Sequence, residues 1–364
     1  MSDVRLATPY FTLDTAFVRR QLEVFSDMFP GAAIRYPVKC NPHPAILREV
    51  LAAGGGFEVA SLVELEQVLA LGTCPDRILY GHPVKTASAI SRASELGVTV
   101  FVADSVAEIE RIAAAAPGTS VLVRIALDDP SSMTKLGRKF GAELDDVPEL
   151  LSKVQAHQLQ PTGLMFHVGS QCVRPDAWAT AIDRLGGVTR ALPTALRPTV
   201  IDIGGGFPHC YGEPVPSLDE IGEACRRAVA KLEFPIDLIV EPGRALVAGS
   251  STLNCSVVAR HSRGSAEWVF IDAGIWHGLS EAVIADQPIQ YPMRRLGDGN
   301  SRDTQAFLIG GPTCDSLDVL TGSVELPSSL SVGDELVIES VGAYGWALAT
   351  SFNGFEVPRV LVVE

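Results

Sequence analysis

The chain has 364 residues, enough for a large barrel and a second module. Hydrophobic residues make up 47% of it and charged residues 20%, a balance that is typical of a packed protein and argues against disorder. The formal net charge of −14 argues against nucleic acid or an anionic membrane as the main partner, because both select basic surfaces.

Cysteine usage and the lack of long apolar segments indicate the cytoplasm. The seven cysteines are scattered and form no Cys-x-x-Cys pair, so neither a metal site nor a disulfide framework is expected. Free thiols are typical of a reducing compartment. Residues 1–9 lack the apolar core of a signal peptide, and no apolar run reaches the roughly 18 residues of a membrane span. We therefore expect a cytoplasmic protein without a membrane partner.

Short apolar runs alternate with amphipathic segments from residue 34 to residue 243. Such alternation predicts parallel strand–helix–strand units. Eight runs over roughly 210 residues fit a (β/α)8 TIM barrel, which is typically about 250 residues long. The eight predicted strands are 34–38, 57–60, 78–81, 98–103, 121–126, 163–168, 200–203 and 238–240, with helix-like segments such as 44–53, 62–71, 86–96, 105–115, 175–192 and 217–232 between them.

The polar residues that end these runs favour a barrel over a doubly wound open sheet. A barrel gathers the carboxyl ends of its strands around one mouth, where active sites are built, whereas an open sheet would scatter them along an edge. The residues in question are Lys39, Glu58, His82, Asp104, Arg124, His167, Gly204–Gly206 and Glu241.

The pattern changes after about residue 250, where short β-rich runs separated by turn residues predict an antiparallel β domain. The expected division is an N-terminal segment at 1–14 that joins the β domain, a cofactor-binding barrel at 15–250 and a C-terminal β domain at 251–364. The predicted strands of the β domain are 254–259, 268–272, 305–309, 335–340 and 359–363, and the run 10–13 belongs with either part.

Lys39 follows the first barrel strand, in the sequence Tyr-Pro-Val-Lys-Cys-Asn. A lone lysine is most often a surface residue. The apolar residues before this one place its amine in the barrel mouth, where desolvation would lower the lysine pKa and favour a Schiff base.

Glycines and a carboxylate follow the seventh and eighth strands. A Gly-Gly-Gly turn is often only flexible, but loops at these positions form the usual phosphate site of such barrels, which Gly243 and Arg244 could complete. Glu241 would repel phosphate. It suits the basic ring nitrogen of a phosphate-bearing cofactor, which it would keep protonated. His167 is either a buried structural histidine or a ring stacked on that cofactor, with Ser170 reaching the phosphate.

These residues and their order resemble the fold-type III pyridoxal-phosphate decarboxylases, the ornithine/diaminopimelate/arginine decarboxylase family. The resemblance covers nearly the whole chain, from Thr-Pro-Tyr-Phe at 8–11 to Phe-Asn-Gly-Phe at 352–355. The sequence Gly-Pro-Thr-Cys-Asp-Ser-Leu-Asp at 311–318 looks like the ornithine/lysine branch. The resemblance implies an alanine racemase-like barrel with a β domain, and decarboxylation of a basic amino acid with pyridoxal 5′-phosphate.

The resemblance also assigns individual residues. It implies that Lys39 holds the cofactor as a Schiff base, that His167 stacks on the ring and that Glu241 pairs with the ring nitrogen. The other cofactor-binding residues that it implies are Glu58, Arg124, Ser170, Gly205, Gly206, Gly243, Arg244 and Tyr344, and Lys139 matches a basic position that supports the barrel mouth.

The resemblance further implies an obligate homodimer with shared active sites. Cys314 and Asp315 would reach into the partner's barrel. Cys314 would return a proton to the α-carbon, and Asp315, with a weaker match at Asp286, would meet the distal ammonium of the substrate.

Three residues depart from the family pattern: Pro37 in place of alanine, Glu58 in place of aspartate, and His82 in place of asparagine. Because these residues shape the pocket, ornithine and lysine are favoured, but arginine and a modified or carrier-bound amino acid stay open as substrates. Two rival functions are a racemase and a non-catalytic regulatory protein. An amino-acid racemase would need a second base, such as tyrosine, on the other face of the cofactor. A non-catalytic regulatory homologue would have lost Lys39, Glu241 or Cys314, which are all present here.

Overall fold

The computed structural model describes residues 6–297 and 303–364. Residues 1–5 and 298–302, which belong to the predicted N-terminal segment and β domain, lie outside the described residues. The chain divides into two compact units. The barrel unit comprises Arg19–Pro208 and Val215–Gly243, and the β unit comprises Met1–Val18, His209–Pro214 and Arg244–Glu364. The predicted domain limits stay a prediction.

The chain begins with strand β1 (Tyr10–Asp14) and helix α1 (Thr15–Met28), and then enters an eight-stranded closed barrel. Every neighbouring pair of barrel strands is parallel, which confirms the predicted fold and all eight predicted strands. The barrel strands are β2 (Ala33–Pro37), β3 (Gly56–Val59), β4 (Ile78–Tyr80), β5 (Val100–Ala103), β6 (Ser120–Ile125), β8 (Gln160–Phe166), β10 (Val200–Asp202) and β11 (Asp237–Val240).

Helices connect the barrel strands and begin where their sequences provide caps. Ser61, Thr86 and Ser105 each accept a backbone N–H of the first turn, and Ser217 forms a full capping box with Glu220. The helices of the barrel unit are α2 (Pro44–Ala52), α3 (Leu62–Ala70), α4 (Ala87–Glu95), α5 (Val106–Ala115), α6 (Val147–Ala156), α7 (Ala177–Ala191) and α8 (Leu218–Ala230).

The barrel interior is filled by apolar side chains, so the fold offers chemistry only at its rim. Leu79, Val102, Leu122 and Met165 form a buried cluster there. Beyond β6 and β8, a two-stranded sheet of β7 (Ser132–Thr134) and β9 (Ser170–Cys172) braces the loops at the carboxyl ends of the strands.

The β unit holds an eight-stranded sheet around β12, which pairs with β1, β13 and β17. Most pairs are antiparallel, as predicted, but β1 runs parallel to β18 and β13 runs parallel to β15. The strands after β1 are β12 (Ser251–Arg263), β13 (Ala266–Ile271), β14 (Met293–Arg295), β15 (Thr304–Gly310), β16 (Val324–Pro327), β17 (Glu335–Ile338) and β18 (Arg359–Val363), and the helices are α9 (Arg244–Val247) and α10 (Glu281–Ile284).

Candidate active site

Lys39 lies directly after β2, and its side chain is about half exposed, at 51%. Its Nζ donates to Glu58 Oε2 at 3.1 Å, and the Glu58 side chain is buried. Desolvation lowers the pKa of Lys39, but the carboxylates of Glu58 and Glu241 outweigh it and the pKa is raised, with Arg124 opposing. The expectation of a lowered lysine pKa is therefore wrong for this arrangement of charges.

Glu241 follows β11 and is buried. Its Oε1 has no hydrogen-bond partner among the described residues. Burial raises the pKa of Glu241 well above its usual range, and the neighbouring Asp202 and Glu58 raise it further. A buried acceptor without a donor costs about 1–3 kcal/mol, so Glu241 is suited to receive a donor from a ligand.

Asp202 ends β10, and its charge interacts with that of Glu241. One of its oxygens accepts the backbone N–H of Gly204 at 2.9 Å, and burial raises the pKa of Asp202 to about 6. Sequence reasoning gave Asp202 no role, because only the fold shows that it is buried beside another acid.

His167 follows β8, and its Nδ1 accepts the backbone N–H of Gly169 at 2.9 Å. Desolvation, with Arg124 and Lys39, lowers the pKa of His167 well below its usual value. The ring is therefore neutral near pH 7 and carries its proton on Nε2. A neutral imidazole held in one orientation suits packing against a flat ring.

Arg124 in β6 completes the charged group at this rim. Its guanidinium lies over the ring of Phe140 at 5.6 Å, and Lys139 and His82 contact the same ring. Arg124 also influences the pKa of Lys39, His167 and Glu241. The structure thus brings together five of the predicted residues of the barrel unit: Lys39, Glu58, Arg124, His167 and Glu241.

The glycine loop after β10 lies against the loop after β8. A Cβ at Gly205 would lie 3.2 Å from His167 Nε2, and a Cβ at Gly206 would overlap the carbonyl oxygen of Gly169. Trp178 fixes this loop by donating to the Gly205 carbonyl at 3.1 Å. These close approaches leave no room for side chains in the loop, and such glycine-rich loops are typical of anion sites. Ser170 begins β9, and Gly243 packs against Pro37 and Cys40.

In the β unit, Arg244 is buried and its guanidinium pairs with both oxygens of Glu281, at 2.8 and 2.6 Å. It also donates to the hydroxyl of Tyr211 at 2.8 Å and lies 5.1 Å from the ring centre of Tyr344. Glu281, which sequence reasoning missed, therefore neutralises the predicted phosphate-binding arginine.

Cys314 and Asp315 lie in a turn of the β unit after β15, where Cys314 is exposed and Asp315 is half-buried. Cys314 donates its backbone N–H and its thiol to Asn353 Oδ1, at 3.0 and 3.2 Å. The turn is organised by buried Asp318, which accepts from the backbone of Ile275 and from Thr313. Sequence reasoning gave no role to Asp318. Asp286 is exposed after α10.

Within residues 6–297 and 303–364, no three His, Cys, Asp or Glu side chains are grouped in a way that could hold a metal ion. In the same part of the chain, no helix combines the length and apolar character needed to cross a membrane.

This TIM barrel presents a lysine, buried acids and a neutral imidazole at the carboxyl ends of its strands. TIM-barrel enzymes have their active sites there, so the fold and the site define an enzyme of this class. Residues 15–248 match the family described as "Pyridoxal-dependent decarboxylase, pyridoxal binding domain". The chain belongs to this family and is a pyridoxal-phosphate-dependent decarboxylase.

Individual relatives are similar to this chain over nearly its full length. The chain is 35% identical to ornithine decarboxylase of Schizosaccharomyces pombe, covering 98% of this chain and 83% of that protein. It is 33% identical to lysine/ornithine decarboxylase of Selenomonas ruminantium, covering 99% and 91%. The solved structure of arginine decarboxylase from Paramecium bursaria Chlorella virus bound to agmatine superposes with a TM-score of 0.91 at 28% identity, covering 98% of each chain.

The residues of the barrel unit fit pyridoxal phosphate. The buried Oε1 of Glu241, which lacks a donor within the described part of the chain, can accept the N–H of a protonated pyridine. The amine of Lys39 lies within the same group of charges, and the glycine loop is a cradle that side chains would fill, a type of loop suited to a phosphate.

Proposed function

We propose that this protein removes the α-carboxyl group of ornithine or lysine and releases CO2 and the corresponding diamine. The observation that carries the proposal is the Lys39 amine held among Glu58 and Glu241 at the mouth of the barrel. The names of the relatives support the substrate class: ornithine, lysine and arginine all carry a second basic group on the side chain.

Four residues of the barrel unit would hold the reacting end of the cofactor. Pyridoxal phosphate, when bound, supplies a sink for the electron pair that departing CO2 leaves on the α-carbon. Lys39 binds the cofactor through its amine, and Glu241 keeps the proton on the ring nitrogen because a facing carboxylate favours the charged form. His167 packs on the ring and fixes its orientation, and Glu58 would contact the cofactor beside the lysine.

We assign the phosphate to Ser170, Gly205, Gly206 and Gly243 of the barrel unit and to Arg244 and Tyr344 of the β unit, with Arg124 adding positive charge at the barrel rim. Glu281 already accepts from both terminal nitrogens of the Arg244 guanidinium. We therefore expect the backbone of the glycine loop to contribute more phosphate affinity than the charge of Arg244.

The β unit would supply the residues that act on the substrate. Cys314 donates a proton to the α-carbon after CO2 has left, a general-acid role that typically contributes about 10²- to 10⁴-fold. Asp315 and Asp286 favour a diamino acid over a neutral one, because an unpaired charge is costly to remove from water.

We propose a homodimer in which Cys314 and Asp315 of one copy serve the barrel of the other. The exposed position of Cys314 in a single chain supports this arrangement. We further propose a cytoplasmic location, which is supported by the seven cysteines: none forms a disulfide in the described structure.

The test of the proposal is the site of cofactor attachment. Borohydride reduction of the protein loaded with pyridoxal phosphate should attach the pyridoxyl group to Lys39, and Lys39→Ala should abolish the attachment and the absorbance band of the bound cofactor. Lys135→Ala, at an exposed lysine, is the control and should behave like the wild type. Attachment to a different lysine would refute the assignment.

A screen of amino acids for CO2 release, with the products identified by mass, tests the substrate. We expect turnover of ornithine, lysine or both, and little with norleucine, which lacks the distal ammonium. Glu58 and His82 both lie at the barrel rim and depart from the family pattern, which keeps a modified or carrier-bound amino acid as the second candidate. Failure of all free diamino acids would favour that candidate.

A further inference from the structure

Three adjacent barrel strands bring together an amine, a carboxylate and a glycine. Lys39 follows β2, Glu58 lies in β3 and Gly81 follows β4, and these strands are neighbours in the barrel. Glu58 is 2% exposed, and its Oε2 accepts from Lys39 Nζ at 3.1 Å. A buried carboxylate that contacts the amine of Lys39 is placed to fix the position of that amine.

Position 81 requires glycine because no space is left for a side chain, and not because of its backbone conformation. Its φ lies outside the left-handed region, and its N–H donates to the carbonyl of Val59 at 3.0 Å in ordinary geometry. A Cβ at this position would overlap Glu58 Oε1 and would lie 2.6 Å from Cγ and 2.9 Å from Cδ of the same side chain. The glutamate therefore fills the volume that any larger residue at position 81 would need.

The charges around Lys39 favour an ammonium group at this place. Glu58 and Glu241 attract it, Arg124 repels it, and Glu58 is the partner in direct contact. Removing Glu58 would leave the more distant Glu241 to balance Arg124. The contact with Glu58 is thus the main local interaction that keeps the free amine protonated and in one orientation.

We propose that Glu58 and Gly81 are a matched pair of positioning residues for Lys39. Glu58 receives the amine whenever it is not bonded to the cofactor, and Gly81 supplies the space that lets the carboxylate reach it. This inference rests on the proposed role of Lys39 as the lysine that binds the cofactor. It assigns Gly81 a function, and it gives Glu58 a role towards the lysine in addition to its predicted role towards the cofactor.

The test measures the protonation of Lys39 directly. Full-length protein freed of cofactor is treated with a trace of acetic anhydride at about pH 8, and acetylation of Lys39 is compared with that of exposed Lys135 by peptide mass spectrometry. Loss of the carboxylate lowers the lysine pKa and leaves more free amine. Glu58→Gln should therefore speed acetylation of Lys39 about three- to tenfold relative to Lys135.

The glycine is tested in the same assay through its dependence on Glu58. Gly81→Ala should displace the carboxylate and speed acetylation of Lys39 as Glu58→Gln does, and adding it to Glu58→Gln should change the rate no further. Gly187→Ala is the matched control, since a Cβ at Gly187 would meet no described atom within 4 Å. Should Gly81→Ala alone be insoluble, Glu58→Ala in the same chain removes the overlap and should restore soluble protein.

The outcomes separate the two proposals. Wild-type acetylation of Lys39 in Glu58→Gln would overturn the pair, and an effect of Gly81→Ala that persists in the Glu58→Gln background would overturn the role of the glycine. Neither result bears on cofactor attachment, which borohydride reduction of the wild type decides. If the pyridoxyl group is found elsewhere, the proposed function fails, while a contact between Glu58 and Lys39 that the acetylation assay supports still stands.

Discussion

Glu241 is a buried acid whose oxygen Oε1 meets no donor in the described part of the chain. Burial, Asp202 and Glu58 raise its pKa well above the ordinary value of 4.5. A raised pKa means that the folded state favours the protonated form. The contribution of Glu241 to folding stability is complete below its pKa in the unfolded chain. It is lost as the pH rises through its pKa in the folded protein. Cofactor-free protein should therefore become less stable between about pH 5 and about pH 8.

We expect Glu241→Gln to remove much of this loss. The thermal midpoint of the cofactor-free variant should exceed that of the wild type at about pH 8 by a few degrees and should differ less from its own value at about pH 5. Decarboxylation should fall by about 100-fold or more, because the ring nitrogen loses its carboxylate. Glu149→Gln, at an exposed acid, is the control, and equal pH profiles for Glu241→Gln and wild type would refute the account.

Sequence reasoning located these residues because each follows an apolar run of strand length. Lys39, His167 and Glu241 lie where the pattern places them, at the carboxyl ends of β2, β8 and β11. Their charge states could not be predicted. The pKa of Lys39 depends on Glu58 in the neighbouring strand β3, and the pKa of Glu241 depends on Asp202 in the neighbouring strand β10. These side chains come close to one another only when the barrel has closed.

The sequence pattern predicted the strands of the barrel more completely than the strands of the β unit. Eight runs of strand length gave eight strands, whereas β14 and β16, with three and four residues, were not predicted. The parallel pairing of β13 with β15 joins segments separated by a crossover, and local periodicity does not encode such partners. The same holds for the sheet of β7 and β9.

The glycine loop after β10 offers a prediction about an element. Gly206 has φ +95°, and a Cβ there would overlap the Gly169 carbonyl; Gly31 has φ +81°, and a Cβ there would meet no described atom within 4 Å. Both alanine variants carry a backbone strain of about 1–2 kcal/mol, but only Gly206→Ala displaces the loop. We expect about tenfold or weaker affinity for pyridoxal phosphate in Gly206→Ala and unchanged affinity in Gly31→Ala, measured by cofactor titration. Equal affinities would remove the loop from the phosphate site.

A buried ion pair holds the carboxyl ends of β4 and β5 together. Lys85 Nζ donates to the carbonyls of His82 and Val102 at 2.8 and 2.7 Å and pairs with Glu108 at 2.8 Å, both side chains being 1% exposed. Glu108 also pairs with Arg111. Removing Glu108 leaves a buried ammonium without its ion-pair partner, whereas removing Lys85 leaves Glu108 with Arg111.

We therefore expect Glu108→Leu to destabilise the protein by about 3–5 kcal/mol and Lys85→Met to destabilise it by less. The double variant should recover part of the loss, because neither charge is then left buried alone. The exposed pair Arg92–Glu95 in α4 is the comparison, and Arg92→Met should change stability by no more than about 0.5 kcal/mol. Urea unfolding monitored by circular dichroism measures all four, and a larger loss for Lys85→Met would reverse the assignment.

At the scale of the whole molecule, the exposed turn with Cys314 and the barrel rim with Lys39 lie in different units of one chain. The proposed dimer lets each copy supply what the other site needs, and a symmetric dimer then contains two equivalent sites. The variants Cys314→Ala and Lys39→Ala should each be nearly inactive, because one lacks the proton donor and the other the cofactor lysine.

Mixing the two variants tests this sharing. If subunits exchange at random, half of the dimers combine both variants, and each of these holds one site with Lys39 and Cys314 intact, so activity should recover to about a quarter of the wild type. Two samples of Lys39→Ala mixed in the same way are the control and should stay inactive. Mass spectrometry of the intact dimer confirms that exchange has taken place. If exchange occurs without recovery, Lys39 and Cys314 must serve a site within one chain, and the dimer would have no catalytic role.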